Sequence, residues 1–215
     1  MNKTSICFII TLISGLSTMV GSLIIFNRFK NKSRVITFCL LFSSFVMLYL
    51  SLFDLIPASF TYINKIYDFV SSIAIMAIYV LLGGIIVHTI DNNTKNNNKL
   101  YKIGIISMIS LILHNIPEGM ITFITTSKDL SLGISFAISI ALHNIPEGIV
   151  IAMPIYYSEG NKKKALLYTF IAALSEPFGG LISYLFLSNI NDYLFGIILS
   201  FTAGVMIYLS FLFRT

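Results

Sequence analysis

Long apolar runs alternate along this chain with short polar stretches. A helix needs about 20 apolar residues to cross a bilayer. Seven runs meet that length, at roughly 5–26, 35–57, 68–90, 101–125, 131–157, 165–187 and 194–213. The connections are brief and polar, Asp91–Lys99 (DNNTKNNNK) being the clearest. The expected fold is therefore all-α: a polytopic membrane helical bundle of seven transmembrane helices, forming one domain over residues 1–215. The first run could pass for a signal peptide, but it continues to Phe26 and then meets Arg28, Lys30, Lys32 and Arg34, which reads as a stop-transfer pattern.

Composition agrees. Hydrophobic residues make up 56%, charged residues 11%, and mean hydropathy is +0.88. That balance is foreign to a soluble core. The net charge of +5 lies in loops between apolar runs, so it marks topology and calls for no nucleic-acid partner. Alternate connections carry Arg28, Lys30, Lys32 and Arg34, then Lys95, Lys99 and Lys102, then Lys162, Lys163 and Lys164, with Arg214 at the end; the opposite side holds only Lys3, Lys65 and Lys128. The positive-inside rule puts the N-terminus outside and the C-terminus inside. Trp is absent, leaving the 11 Tyr to form any interfacial belt. Cys7 and Cys39 fall in apolar runs and offer neither a disulfide framework nor a CxxC zinc site.

Two pairs of runs resemble each other. Leu16-Ser17 followed by Gly21-Ser22-Leu23-Ile24 matches Leu174-Ser175 followed by Gly179-Gly180-Leu181-Ile182, an offset of 158. Val46–Ser51 matches Val205–Ser210 at an offset of 159. Each pair crosses the membrane in opposite senses, the signature of inverted repeats, a transporter architecture with its site near the midplane. The third run has no partner, and the chain stops where an eighth helix would follow, so the reading expects a truncated or frame-altered C-terminus.

The candidate chemistry is a doubled hexapeptide. His-Asn-Ile-Pro-Glu-Gly occupies His114–Gly119 and again His143–Gly148, both inside apolar runs. A carboxylate at mid-membrane costs roughly 2.5–3.5 kcal/mol on insertion scales. On a helix, i and i+4 share a face, which aligns His114 with Glu118 and His143 with Glu147. Imidazole and carboxylate together suit zinc and other first-row divalent ions. Asn115 and Asn144 lie about 100° round each helix, at the edge of the same face. Pro117 and Pro146 free the carbonyls of Leu113 and Leu142, and Gly119 and Gly148 permit close helix approach. Glu176-Pro177 adds a third buried carboxylate beside a proline. The turn around Ser127–Asp129 makes the fourth and fifth runs antiparallel neighbours, so the two hexapeptides can face each other. His88 reads as interfacial, near Asp91. Asp54, near the outer mouth, reads equally as a cation collector or an interfacial acid. Asp68, Asp129, Glu159 and Asp192 fall in loops, and the eight Met and both Cys read as packing.

At these residues the sequence resembles the ZIP (Zrt/Irt-like) family of divalent-metal transporters, and within it the bacterial ZupT-type branch. The doubled HNIPEG and the following SEPFGG carry the match, which extends over nearly the whole chain. The resemblance implies eight helices in two inverted three-helix repeats around a central pair, and metal movement towards the cytoplasm across a bacterial inner membrane. It implies a two-metal centre: His114, Glu118, His143 and Glu147 in one site, and Asn115, Asn144 and Glu176 with bridging Glu118 and Glu147 in the other. The implied cargo is Zn2+, with Fe2+, Mn2+, Co2+ and Cd2+ unranked beside it. The implied motion slides the first, fourth, fifth and sixth helices against the rest. The implied partners are the lipid bilayer and the metal ions, with a homodimer left open. Two rival readings stand: a seven-helix intramembrane zinc hydrolase, opposed by the lack of HExxH, and an inactive metal-binding remnant.

Overall fold

The computed structural model describes residues 2–27, 29–186 and 191–213. Arg28 and Arg214, two of the residues used above to orient the chain, lie outside the described residues. Nine α-helices and no strand occur among the described residues. They are α1 (Lys3–Ser22), α2 (Lys32–Leu50), α3 (Ile56–Ile63), α4 (Phe69–Asn93), α5 (Lys99–Lys128), α6 (Leu130–Glu159), α7 (Lys162–Ala173), α8 (Ser175–Phe186) and α9 (Asp192–Leu212). Seven continuous stretches of this set are long and apolar enough to cross a membrane, as the periodicity predicts.

The polar connections start these helices. Six of them are capped by an acceptor side chain: Asn31 accepts from the Arg34 N–H, Asp68 from Val70 and Ser71, Asn98 from Tyr101, Asp129 from Leu132, Asn161 from Lys164 and Asn191 from Leu194. A cap satisfies main-chain donors that the first turn leaves without partners. At Asp68 the Ser71 hydrogen bonds hold the carboxyl below the ordinary carboxylate range. Gly160, at φ +69°, closes α6 in the left-handed conformation that glycine tolerates best.

Three expected boundaries change. The second run, placed at 35–57, extends over Lys32–Ile63 and contains a π-helical turn at Ser51–Leu55 just before Pro57. The expected loop Asp91–Lys99 begins later, because α4 continues to Asn93. Asp91 is thereby held in a network: Lys102 lies 2.7 Å away and the Tyr208 hydroxyl donates to it at 2.9 Å. His88 bonds the same Tyr208 hydroxyl and Asn92. The sixth run, placed at 165–187, breaks at Leu174 into α7 and α8, and its last residue, Leu187, lies outside the described residues. The break puts Glu176 in the first turn of α8, where a helix favours negative charge. Asp68 and Asp129, expected to be idle loop acids, are the caps just named; Asp192 pairs with Lys65, and Glu159 with Lys164.

The inverted repeat is present in three dimensions. Every buried position of α1 and of the 3-10 turn behind it, from Cys7 to Ile25, has a buried counterpart 158 residues later, from Ala165 to Ser183; Ser175 is the one addition. The centre of the bundle is α5 against α6, joined by the single residue Asp129. Around it α1 packs on α6 as α8 packs on α5. Glycines set the spacing. Gly148 lies against the Thr18 carbonyl and Gly21 against that of Ile145; 29 and 158 residues away, Gly119 lies against the Glu176 carbonyl and Gly179 against that of Ile116. A Cβ at any of these four would collide with main chain. Close backbone approach through small residues is how helices associate where lipid is as apolar as leucine.

Candidate metal centre

The hexapeptides are in mid-helix, and α5 and α6 continue through Pro117 and Pro146. Each histidine pairs across the helix interface with the glutamate of the other copy. His114 Nε2 is 3.0 Å from Glu147 Oε1, and His143 Nε2 is 3.4 Å from Glu118 Oε2. Sharing one helix face thus brings His114 and Glu118 to the interface, and the antiparallel crossing decides the partners. His114 Nδ1 donates to the Ser110 carbonyl at 3.0 Å, which leaves Nε2 directed at the carboxylate. Such an outer hydrogen bond fixes the ring and tautomer of a metal-binding histidine. A cation between Nε2 and the glutamate would take the place of the proton that bridges them.

The asparagines separate. Asn144 Nδ2 donates to Glu176 Oε2 at 2.8 Å and to the Ser14 carbonyl at 3.0 Å, tying α6 to α8 and α1. Asn115 is fully buried, and neither its Nδ2 nor its Oδ1 has a partner. Asn144 Oδ1, Glu147 Oε2, Glu176 Oε1 and His143 Nδ1 are buried and partnerless too. Buried polar atoms in folded proteins almost always find partners, and those that do not point to an ion or water. Among the described residues, no group of three His, Cys, Asp or Glu side chains is gathered in a metal-holding arrangement. The structure brings together two His–Glu pairs and an Asn–Glu pair, with Asn115 buried on α5, rather than one closed ligand cage.

A cavity of about 460 Å³ reaches this set. Glu118 and His143 line its floor, and Thr125, Leu132, Tyr62 and Phe195 place it towards the end of the bundle where α5 passes to α6. Asp54 lies on the same wall, in the π-helical turn. His114 and Glu147 are not among its lining and are almost completely buried. His88 lies away from the set, in the Asp91 network. Cys7 and Cys39 are buried, free thiols. Two contributors escaped the sequence reading, the carbonyls of Ser110 and Ser14, because main-chain acceptors carry no residue signature.

Fold and site define a polytopic integral membrane protein with a polar, oxygen- and imidazole-lined interior. Residues 88–212 match the family model described as ZIP Zinc transporter. The chain is 37% identical to the zinc transporter ZupT of Streptococcus mutans, over 94% of this chain and 83% of that protein. It is 35% identical to the protein of the same name from Clostridium perfringens, covering 98% and 85%, and 37% identical to that from Oceanobacillus iheyensis, covering 98% and 87%. The chain belongs to the ZIP zinc transporter family. That is a family of transporters and not of enzymes, which sets the hydrolase reading aside.

Proposed function

We propose that this chain carries Zn2+, and with it Fe2+, Mn2+, Co2+ and Cd2+, across the bacterial inner membrane towards the cytoplasm. His114, Asn115, Glu118, His143, Asn144, Glu147 and Glu176 form a binuclear path for the ions. One observation carries the reading: two His–Glu pairs bridge α5 and α6, with unpartnered buried oxygens beside them, and the Glu118–His143 pair lies at the floor of a cavity. The cargo enters that cavity from outside, in the orientation set by the basic loops. It meets Glu118 and His143 first and passes to Glu147 and His114, which are deeper. Exchange of imidazole, carboxylate and amide ligands in turn keeps each station weak enough to release the ion. The inverted repeat supports alternating access, in which α1 and α5–α8 shift against α2, α4 and α9.

Glu118→Ala and His143→Ala, each expressed in cells, should abolish zinc uptake while membrane insertion and yield stay normal. Uptake at the unsubstituted rate by both variants would overturn the assignment.

A further inference from the structure

The repeat that aligns α1 with α7–α8, and α5 with α6, maps the Glu176–Asn144 pair onto Thr18 and Asn115. One half of the molecule therefore has a carboxylate where the other has a hydroxyl. Thr18 Oγ1 is fully buried and has no hydrogen-bond partner. That departs from the other buried threonines of these helices: Thr11, Thr122, Thr126 and Thr169 each donate to the carbonyl four residues back. For Thr18 that carbonyl is Ser14, which already accepts from Ser17 Oγ at 2.6 Å and from Asn144 Nδ2. The hydroxyl is left without its usual acceptor. Glu176 has its carbonyl against Gly119, next to Glu118; equivalently, Thr18 has its carbonyl against Gly148, next to Glu147. Glu147 Oε2, both polar atoms of Asn115 and, one turn before His114, Ser110 Oγ are also buried and partnerless.

We propose that Thr18 Oγ1, Asn115 Oδ1 and Glu147 Oε2 form an inner oxygen site for the transported divalent cation, the image of the site at Glu176 with one carboxylate fewer. This rests on the transport reading above. Hydroxyl and amide oxygens suit hard, partly hydrated divalent ions and hold them more weakly than carboxylates do. In the orientation proposed above, Thr18 is in the cytoplasmic half of the span Lys3–Phe26, and Glu176 in the outer half of Lys162–Phe186. The cation thus moves from a station with a carboxylate to one with a hydroxyl in its place, which favours release inward.

The test uses the full chain in proteoliposomes, measuring zinc uptake and equilibrium zinc binding for Thr18→Val, Thr18→Ser and Thr18→Glu. Thr18→Val keeps the shape and should lower maximal uptake about five-fold, the scale of one lost polar contact. Its half-saturating external zinc should hold, because the outer station is intact. Thr18→Ser should restore uptake. Thr18→Glu should tighten zinc binding about ten-fold or more and slow uptake, and this arm decides the matter if the valine variant fails to fold. Uptake and binding unchanged in both Thr18→Val and Thr18→Glu would overturn the inner site alone, provided the native chain transports and Glu118→Ala does not. A native chain that neither binds nor transports zinc would overturn the transport reading and the inner site together.

Discussion

The two inverted halves differ more on their outer faces than on their inner ones. Along α1 and α7–α8 the burial pattern repeats position for position, because both helices meet the same central pair through glycine-to-carbonyl contacts. Along α2 and α9 only part of it repeats. Cys39 is buried at a position whose α9 counterpart, Ile198, is not, whereas Leu40, Ser43, Ser44, Met47 and Ser51 match buried Leu199, Thr202, Ala203, Met206 and Ser210. On the next face round, α9 receives α4: Gly204 packs against the Val80 carbonyl, and Gly83 against that of Phe201. The corresponding face of α2 carries Phe38, Phe42, Phe45 and Tyr49 on the surface, Phe38 being 68% and Phe45 66% exposed. Aromatic side chains there suit contact with acyl chains or another apolar helix. The inner faces are constrained by the central helix pair, and the outer faces by whatever covers them.

Substitutions can break or sharpen this contrast. The largest effect belongs to Glu176→Gln, which removes the carboxylate that distinguishes the second half from Thr18. A hydrogen bond to a charged group contributes about 1.5–3 kcal/mol, so zinc affinity should fall roughly 10- to 100-fold. Equilibrium zinc binding to purified protein reads it; affinity within two-fold of the native chain would remove Glu176 from the path. Next come Gly148→Ala and Gly119→Ala. Each forces a Cβ into a main-chain carbonyl and should cost about 1–3 kcal/mol. The two losses in detergent unfolding should agree; a large loss at only one would show that the halves pack unequally. The same measurement on the outer faces should divide Gly204→Ala, costing about 1–3 kcal/mol, from Phe45→Ala at its repeat counterpart, within about 0.5 kcal/mol. Comparable losses would mean that the α2 face is packed as α9 is. The smallest effect is that of Ser43→Ala. Its hydroxyl donates to the Pro146 carbonyl at 3.0 Å, and buried hydrogen bonds in membrane proteins average about 0.6 kcal/mol.

The number of spans and the inverted repeat were legible in the sequence because both rest on composition and period, which survive folding. The offset of 158, drawn from a few apolar matches, also located the buried counterparts of α1, and applied to Glu176 it would have named Thr18. The pairing of His114 with Glu147 was not legible. Helical spacing fixes which residues share a face, whereas which histidine meets which glutamate depends on the register of the α5–α6 crossing, where Gly133 lies against Thr126. The π-helical turn and the break at Leu174 each come just before a proline, Pro57 and Pro177, which marks a disturbed helix without giving its form. The end of α4 was misplaced because Asp91 looks like a loop residue until Lys102 and Tyr208 are beside it.

The central claim is that the cargo ion is held by the imidazoles and oxygens between α5 and α6. Zinc-edge X-ray absorption on the purified, zinc-loaded protein tests it most directly. The account predicts nitrogen and oxygen neighbours only, with an imidazole signature that disappears in the doubly substituted His114→Ala/His143→Ala chain. Sulfur neighbours from Cys7 or Cys39, or an imidazole signature unchanged by the double substitution, would contradict it.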